Sequence, residues 1–409
     1  MASNDTSPAA LLEGVRILDF SRVLAGPWAT QLLADLGAEV IKIERPGTGD
    51  DTRGWGPPWL RDAAGKPTAE SAYFLSTNRG KRSLTLDLAS PDGQRLAREL
   101  ALRSDAVIEN FRAGQLAKYG LDAATLRQAK PALVYCSITG FGQTGPDAER
   151  AGYDAMIQAL GGLMSITGEA DGPPQKVGVA AADLMCGMYA SSGILAALLR
   201  ARATGEGETI DLALFDSQLA WLANQAMNYL VAGTAPQRRG SAHPNIVPYQ
   251  PFACADGFVM LAVGNDRQFR SWCELAGRND LAADERFGTN ALRVQHREQL
   301  VPKIEATMAS RSRAHWLGAC EKAAVPCGAI NDIAQAFDEP QAIHRGMRVT
   351  LPHADHPAVP QVPCPLHLED HAVGADRAPP KLGEQTDEIL RELGLAPEEI
   401  DDLRERSVI

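Results

Sequence analysis

Cysteines, long apolar runs and targeting segments are scarce or missing in this 409-residue sequence. The seven cysteines are scattered and form no CxxC pair, which argues against a disulfide framework or a zinc site. No apolar run reaches the roughly 18 residues of a membrane span, because glycine and serine interrupt the longest candidate, Leu184–Leu199. The first residues resemble neither a signal peptide nor an arginine-rich transit peptide. These absences predict a reduced, cytoplasmic protein without a membrane partner.

An excess of positive charge is also lacking. Lys and Arg total 40 against 51 for Asp and Glu, which gives a net charge of −11. Because a nucleic-acid-binding surface needs clustered positive charge, this balance argues against nucleic acid as a partner. It leaves an anionic small molecule open, since a few arginines or a helix N-terminus can hold one. His353 and His356 form an HxxH pair, but it lies in a proline-rich stretch without Cys or carboxylate support, so we expect no metal.

The first third of the chain alternates β-strand and α-helix patterns. Short apolar runs predict strands, and the stretches between them predict helices, with Pro27 near the start of one and Ser90 as the N-cap of another. This alternation is typical of parallel βαβ units in a doubly wound sheet. The predicted strands span 14–20, 38–44, 82–88, 105–111 and 132–142, and the predicted helices span 26–37 and 90–104.

The rest of the chain predicts a smaller domain between the two ends of a larger one. A strand pattern closes the segment 202–214, and later segments predict a helix (215–235), a loop (237–252), a strand (257–264), charged helices (266–325) and a return to a sheet (325–332). We expect an α/β fold with a Rossmann-like large domain built from both chain ends plus a smaller α/β domain. The expected boundaries are 1–212 for the N-terminal part of the large domain, 213–240 for a linker, 241–315 for the small domain, and 316–409 for a linker and the C-terminal part of the large domain.

Three segments near predicted strand ends are candidates for anion binding. The turn at 21–27 precedes a helix N-terminus, but it has no GxGxxG motif, so an ordinary turn is the alternative. Arg45 follows the second strand, where an arginine suits a 2′- or 3′-phosphate on a ribose, although a surface arginine fits the pattern too. A basic run either binds phosphates or forms a solvated loop; it contains Arg79, Lys81 and Arg82.

Asp183 stands at the start of a long and nearly all-apolar helix. Aspartate is a favoured N-cap, so helix capping is one interpretation. A helix dipole also keeps a carboxylate at its N-terminus ionised, as an attacking carboxylate requires. The small residues Gly178 and Ala180–Ala182 would let a bulky substrate approach. No GxSxG motif is present and no serine or cysteine has an evident histidine partner, which disfavours acyl chemistry on those residues.

Several stretches together resemble family III CoA-transferases, of the formyl-CoA transferase and carnitine CoA-transferase type. The resemblance covers nearly the whole chain. It rests on LEGVRILDFSRVLAGPWATQLLADLGAEVIKIERPGTGDDTRGWGPP, NRGKRSLTLDL, DAVIENFRAGQLAKYGLD, ITGFGQTGP, AGYDAMIQALGGLMSITG, VGVAAADLMCGMYA, HPNIVPYQPF, VPCGAIND and LGEQTDEILRELG. In this family the motif VGVAxxDLxxG carries the nucleophilic aspartate, which falls on Asp183.

The resemblance implies how the protein works and assembles. CoA thioesters and small carboxylic acids would be the substrates, CoA would pass through a thioester on Asp183, and neither a metal nor a permanently bound cofactor would be needed. It also implies a homodimer of two interlocked rings. One family lysine is replaced by Ala89 here, which puts that CoA contact in doubt. The implied CoA contacts are Val23, Leu24, Ala25, Arg45, Leu86, Asn110, Phe111 and Lys118.

The superfamily also contains acyl-CoA racemases, which leaves an alternative activity. Racemases pair the equivalent aspartate with a histidine in an AGHD motif, and this sequence has AGYD with Tyr153 in that place. Because a tyrosine with a pKa near 10 is a poor base at neutral pH, the substitution favours transfer over racemisation or isomerisation. A non-catalytic acyl-CoA-binding protein is a further alternative, in which Asp183 would be dispensable.

Four strings resemble the family members that use succinyl-CoA and glutarate: RVLAGP, GDDTRxWGPP, YCSITGxGQTGPxxxRAGYDA and AHxxIVPYQxF. We therefore expect succinyl-CoA as donor and a dicarboxylate such as glutarate as acceptor, with a different acid as the alternative. A second carboxylate that is buried without a partner costs several kcal/mol, so a cation should meet it. The candidates are Arg238, Arg239 and His243, whose alternative is an exposed charged loop.

Overall fold

The computed structural model describes residues 10–353 and 356–409. The β-strands there are β1 (Arg16–Asp19), β2 (Glu39–Glu44), β3 (Trp59–Arg61), β4 (Pro67–Ser71), β5 (Lys81–Thr85), β6 (Ala106–Glu109), β7 (Val134–Thr139), β8 (Thr209–Ala213), β9 (Tyr249–Cys254), β10 (Gly257–Ala262), β11 (Cys327–Ala329), β12 (Val349–His353) and β13 (His356–Gln361).

The α-helices of the described residues are α1 (Ala25–Asp35), α2 (Ala72–Leu75), α3 (Pro91–Arg103), α4 (Ala123–Ala129), α5 (Asp154–Leu160), α6 (Leu163–Ile166), α7 (Ala181–Thr204), α8 (Leu214–Trp221), α9 (Ala223–Ala232), α10 (Asp266–Leu275), α11 (Asn279–Ala283), α12 (Asn290–Gln295), α13 (Arg297–Met308), α14 (Arg313–Lys322), α15 (Ile333–Asp338), α16 (Pro340–His344), α17 (Thr386–Leu393) and α18 (Pro397–Glu405). Short 3₁₀ helices include Asp51–Gly54 and Leu116–Tyr119.

Six parallel strands form the main sheet, in the order β5-β2-β1-β6-β7-β8. Counted along the chain, this is the order 3-2-1-4-5-6 of dinucleotide-binding folds, whose ligands bind where the order reverses, here between β1 and β6. The prediction of a doubly wound parallel sheet is confirmed. The strands are shorter than the predicted runs, and all of them except β2 end before the predicted run does.

Local sequence signals explain several helix boundaries. The Ser90 hydroxyl accepts a hydrogen bond from the Gly93 N–H at 2.9 Å, with Pro91 as the first residue of α3, as predicted. Buried aliphatic side chains form one core layer on each face of the sheet. Each fully buried leucine or isoleucine contributes about 1.5–3 kcal/mol to folding, so these layers hold the helices in place.

Helix α7 connects β7 to β8 and crosses close to α1. A Cβ atom added at Gly187 would lie 2.6 Å from the Ala25 carbonyl oxygen, so only glycine permits this approach of the two helices. By length and composition α7 could cross a membrane, but 44% of its most apolar window is buried. Cys186, Ala190 and Ile194 of α7 belong to the core that covers one face of the sheet.

The chain divides into two compact units, each described here by itself. The first comprises the described parts of Met1–Gly162, Gly178–Ala226 and Gln341–Ile409, and the second comprises Leu163–Val177 and Met227–Pro340. In the first unit, the C-terminal residues join the edge of the sheet at β5, where the Gln385 amide oxygen accepts from the Ser83 N–H at 2.9 Å.

The boundaries of these units differ from the expected domain boundaries. The segment Leu163–Val177 joins the second unit, because Gly168 accepts from the Gly240 N–H at 3.0 Å and Gly172 accepts from Arg238 at 2.9 Å. The second unit also continues past 315, because β11 pairs with β10 in a three-stranded antiparallel sheet. Its core contains Trp272 and Trp316, both buried.

Candidate active site

A buried ion network lies below the turn that joins β1 to α1. The Asp19 carboxylate accepts hydrogen bonds from the Thr30 hydroxyl at 2.6 Å and from the Lys81 ammonium at 3.2 Å. Lys42 pairs with Asp50 at 2.9 Å. Burial alone would raise the pKa of Asp19, but the two lysines and the neighbouring hydroxyls lower it below its usual value. The network therefore stays ionised and fixes the turn.

The basic run predicted from the sequence belongs to such networks. Arg79 pairs with Asp35 and Lys81 with Asp19, while Arg82 pairs with Glu39, Glu388 and Glu392. All three basic side chains are buried. Neither sequence interpretation, a phosphate site or a solvated loop, was right, because both would require exposed charges.

Asn110 clamps the first turn from the end of β6. Its amide oxygen accepts from the Arg22 N–H at 2.8 Å, and its amide NH₂ donates to the Arg22 carbonyl at 2.7 Å. The next residue, Val23, has a left-handed φ of 71° and donates its N–H to Asp50. At Gly26 an added Cβ atom would lie 2.2 Å from the Ser21 hydroxyl oxygen, so a side chain is excluded there. The turn is held in one conformation at the point where the strand order reverses.

Two neighbouring cavities open at the carboxyl edge of the sheet in the first unit. The smaller, of about 360 Å³, is called the Arg45 slot. The larger, of about 580 Å³, is called the Asp183 cavity. They share the lining residues Arg22, Phe111 and Gln115, so they are adjoining parts of one groove.

The groove collects most of the residues predicted to contact CoA. Arg45 and Leu86 line the slot, together with Ala89, and Phe111 lines both cavities. Lys118 is not among the lining residues; it is exposed on a 3₁₀ helix, whereas Gln115 and Tyr119 nearby line the slot. The Asp183 cavity contains Val23, Leu24, Ala25, Asn110, Tyr153 and Asp183 itself.

Asp183 is the third residue of α7, and it does not cap the helix. The helix begins after Ala180, which provides no side-chain cap. The cap comes from Asp154 on α5, whose Oδ1 accepts from the N–H groups of Ala182 at 2.9 Å and Asp183 at 3.4 Å. A carboxylate from another helix therefore satisfies the first turn of α7. This leaves the Asp183 side chain available to the cavity.

The electrostatics of Asp183 also differ from the sequence-based prediction. Burial, and secondarily the negative charge of Asp154, raises the pKa of Asp183 to about 7. The expectation that the helix dipole keeps this carboxylate fully ionised was wrong in direction. Near neutral pH, Asp183 exchanges between its ionised and protonated forms.

A contact between two glycines brings Asp154 to this position. A Cβ atom added at Gly152 would lie 2.4 Å from the Gly140 Cα atom, so the two backbones touch. Gly140 follows β7, and Gly152 precedes Tyr153 and Asp154 at the start of α5. The AGYD segment thus crosses the end of β7, with Tyr153 68% exposed in the lining of the cavity.

Two aromatic residues lie beside the carboxylates. Trp55 lines the Asp183 cavity and meets Tyr73 edge to face, with ring centroids 5.1 Å apart. Burial raises the pKa of Tyr73 to about 12, with further contributions from Asp183, Asp154 and Asp50. Its hydroxyl therefore stays protonated and can donate a hydrogen bond.

The residues predicted to recognise a distal carboxylate belong to the second unit. Arg238 already donates to the Gly172 and Glu169 carbonyls. Arg239 is exposed. The His243 Nδ1 accepts from the Asn245 N–H at 3.0 Å, and burial, followed by the charge of Arg297, lowers the pKa of His243.

Sequence reasoning missed several groups that line the site. No role was predicted for Asp154, although it belongs to the AGYD segment that contains Tyr153. Two further arginines, Arg112 and Arg150, line the Asp183 cavity and had no motif to mark them. Among the described residues, no group of three or more His, Cys, Asp or Glu could hold a metal ion.

The strand order and the groove define an α/β protein of the nucleotide-binding class, with a carboxylate in the larger cavity. Comparisons identify its family. The model of CoA-transferase family III matches residues 12–386, and the chain belongs to this family of transferases.

Its relatives include two proteins of named activity. The succinate–glutarate CoA-transferase of Agrobacterium fabrum is 51% identical over 382 residues, which cover 93% of this chain and 95% of that protein. The succinyl-CoA:glutarate CoA-transferase of Mus musculus is 44% identical over 385 residues, covering 93% and 86%. The crystal structure of a CAIB/BAIF family protein from Brucella suis is similar with a TM-score of 0.83 at 47% identity, covering 94% of this chain and 100% of that one.

Proposed function

We propose that the protein transfers CoA from succinyl-CoA to glutarate, through a covalent aspartyl-CoA thioester on Asp183. The observation that carries this proposal is the placement of Asp183 in a cavity that adjoins the Arg45 slot. A CoA thioester bound with its nucleotide in the slot would reach Asp183 with its acyl end. The named activities of the Agrobacterium fabrum and Mus musculus relatives support the choice of acids.

The transfer runs through paired acyl exchanges. An oxygen of ionised Asp183 attacks the thioester carbonyl of succinyl-CoA, the C–S bond breaks, and CoA departs as a thiolate, which produces a mixed anhydride of Asp183 and succinate. The thiolate attacks the aspartyl carbonyl and releases succinate, which leaves the aspartyl-CoA thioester. Glutarate then attacks that carbonyl, the thiolate leaves again, and its attack on the glutaryl carbonyl frees Asp183. No ATP and no metal are needed, because one thioester replaces another.

The first attack of the cycle needs Asp183 without its proton, and the last step returns Asp183 as a carboxylate. With a pKa of about 7, roughly half of the enzyme is in that form at neutral pH. The protonated Tyr73 hydroxyl and the backbone N–H groups near the cavity are candidates to stabilise the developing oxyanion. Water must be excluded, since anhydride and thioester would otherwise hydrolyse.

Recognition of a dicarboxylate requires a cation for its second charge. Arg238, Arg239 and His243 were proposed from the sequence. Arg112 and Arg150 now join them as candidates, because they line the same cavity as Asp183. Within the described residues, the Arg150 guanidinium has a long ion pair of 3.6 Å to Asp147 and a face contact with Phe141, so it keeps donors for a ligand.

The remaining predictions for CoA follow the groove. Val23, Leu24, Ala25, Asn110 and Phe111 would contact the pantetheine arm, and Arg45 and Leu86 the adenosine with its 3′-phosphate. Lys118 would have to reach the nucleotide from the solvent side.

Self-association as an interlocked homodimer is part of the proposal. None of the ten residues of α9 is buried, although more than half of them are apolar. Such an unpartnered apolar surface is typical of an interface. Light scattering of the purified protein would give twice the chain mass of 43.7 kDa for a dimer. The apolar residues of α9 exposed by more than half are Met227, Leu230 and Val231.

A cytoplasmic location without membrane or nucleic-acid partners completes the proposal.

Trapping of the intermediate tests the proposal. Enzyme mixed with succinyl-CoA and quenched should carry CoA on the peptide that contains Asp183, seen by mass spectrometry, and addition of glutarate should discharge it. The Asp183→Asn variant is the matched control and should carry no adduct. Exchange of the substrate α-proton with deuterated solvent would instead indicate a racemase. An unmodified Asp183 during turnover would refute the mechanism.

A panel of acceptors tests the substrate. With succinyl-CoA as donor, glutarate should be a better acceptor than the monocarboxylate of equal length. Equal rates with both would refute a site that recognises the distal carboxylate.

A further inference from the structure

Arg22 lies where the two cavities of the groove meet. It lines both the Arg45 slot and the Asp183 cavity. It also belongs to the turn that Asn110 clamps, because the Arg22 N–H and the Arg22 carbonyl are both hydrogen-bonded to the Asn110 amide. A ligand that extends from one cavity into the other must pass this side chain.

The side chain of Arg22 is held by one weak ion pair and one ring. Its Nη1 donates to the Asp51 carboxylate at 2.7 Å, with both side chains more than a third exposed. Its guanidinium carbon lies 5.7 Å from the centroid of the Phe111 ring. An ion pair with this exposure contributes little to stability, so an anionic ligand can replace Asp51 at small cost.

One donor of Arg22 has no partner at all. Its Nε is buried and makes no hydrogen bond in the described part of the chain. A buried donor without an acceptor is costly, and such exceptions call for an explanation such as an absent ligand. An anion that accepts from Nε and a terminal nitrogen together would meet the guanidinium edge in the two-point manner that suits phosphate oxygens.

The other cations of the groove are placed differently. Arg45 lines only the slot, and Arg112 and Arg150 line only the Asp183 cavity. Lys42 lines the slot but is fully buried against Asp50. Among the lining residues, Arg22 is thus the basic residue common to both cavities.

We propose that Arg22 binds the diphosphate of CoA, and that Asp51 is an internal competitor that the diphosphate displaces. This inference rests on the proposed function, in which CoA spans the groove. The diphosphate lies between the adenosine and the pantetheine arm of CoA, so it must cross the junction of the two cavities. Helix α1, which begins at Ala25 without a side-chain cap, adds the favourable end of its dipole beside the same junction.

Donor thioesters of decreasing length test the proposal. We would measure kcat/KM for the succinyl thioesters of CoA, dephospho-CoA and pantetheine with four variants. Arg22→Gln should lower kcat/KM about 10- to 100-fold for the CoA and dephospho-CoA thioesters, since both contain the diphosphate. The kcat/KM for the pantetheine thioester, which has no diphosphate, should stay unchanged. Arg22→Lys keeps the charge but loses the two-point contact, so its loss of kcat/KM should be smaller than that of Arg22→Gln.

The matched controls separate this role from others. Arg45→Gln should reduce kcat/KM for CoA but not for dephospho-CoA, which lacks the 3′-phosphate. Asp51→Asn removes the competitor and should raise the affinity for CoA several-fold. Melting temperatures near that of the unaltered enzyme would show that the variants fold.

Three results would overturn the proposal. They are full kcat/KM of Arg22→Gln with succinyl-CoA, an equal loss of kcat/KM with the pantetheine and CoA thioesters, and weaker CoA binding by Asp51→Asn. In each case the Arg45→Gln effect would still show that CoA occupies the groove. If the unaltered enzyme neither bound CoA nor catalysed exchange, the proposed function itself would fail, and this inference with it.

Discussion

Replacement of Asp154 by asparagine should shift the pH dependence of the enzyme toward acid. Burial and Asp154 together raise the pKa of Asp183 from 3.8 to about 7. A shift of this size corresponds to about 4 kcal/mol between the two protonation states. Burial is the larger cause and survives the substitution. The charge of Asp154 therefore accounts for less than half of the upward pKa shift. Its removal should lower the pKa of Asp183 by about one unit.

Asparagine is the sharpest substitution because it keeps the helix cap. The Asp154 Oδ1 accepts from the N–H groups of Ala182 and Asp183, and the amide oxygen of asparagine can accept from both in its place. Asp154→Ala removes the charge and the cap together. The alanine variant should therefore lose about 1 kcal/mol of stability that the asparagine variant keeps.

The assay is the pH profile of kcat/KM for exchange between succinyl-CoA and glutarate, from about pH 5 to pH 9, since kcat/KM reports pKa values of the free enzyme. If ionised Asp183 is the active form, the acid limb should move from near pH 7 to near pH 6. At pH 6 the active fraction then rises from about one tenth to about one half, a roughly fivefold gain relative to the plateau. An unmoved limb, or one displaced toward alkaline pH, would refute the coupling between the two carboxylates.

Three further predictions concern stability. Asp183→Asn should stabilise the unliganded protein by about 2–4 kcal/mol at pH 8, measured by urea denaturation, and should not stabilise it at pH 3.5. Between the unfolded pKa near 3.8 and the folded pKa near 7 the folded protein holds an extra proton, so the stability of the unaltered protein falls as pH rises through that window. An equal gain at both pH values would contradict this. Gly187→Ala should cost about 1–3 kcal/mol, because its Cβ atom would meet a carbonyl of α1 at 2.6 Å. Gly193→Ala on the same helix, whose Cβ atom meets its nearest neighbour at 3.4 Å, should be neutral or stabilise by up to about 1 kcal/mol, and similar costs at both glycines would refute the packing argument. Asn110→Ala should cost about 1–3 kcal/mol and raise the KM for succinyl-CoA, because it removes both hydrogen bonds to the first turn; an unchanged melting temperature and KM would contradict the clamp.

The sheet could be predicted from the sequence because its signals are local. Apolar runs of strand length separated by helix-length stretches specify parallel pairing almost by themselves, and Arg45 lies in the slot because it directly follows β2. Strand order could not be obtained this way, since nothing local distinguishes β6 as the neighbour of β1. The return of Leu163–Val177 to the second unit depends on hydrogen bonds to residues some 70 positions later, which no periodicity records.

Charged residues near the site were the least predictable. Lys81 and Arg82 have the composition of a solvated loop, and only the fold shows that they are buried and paired with carboxylates on other strands and helices. The same holds for Asp154, whose partner N–H groups lie 28 and 29 residues further along the chain. In each case the pairing is non-local, and the sequence contains the charge but not its counterpart.

The raised pKa of Asp183 has a thermodynamic role in the proposed cycle. CoA exchange between two solvated carboxylates of similar pKa has one thioester and one carboxylate on each side, so an ordinary aspartate would accept CoA about as readily as succinate or glutarate. Burial and Asp154 penalise the anion by about 4 kcal/mol but leave a neutral aspartyl thioester untouched. Below pH 7 the same surroundings reduce the fraction of Asp183 that is ionised and able to attack. They also pull the exchange equilibrium toward aspartyl-CoA. This bias favours accumulation of the covalent intermediate in the proposed exchange, and it follows from the placement of the two carboxylates at the start of α5 and α7.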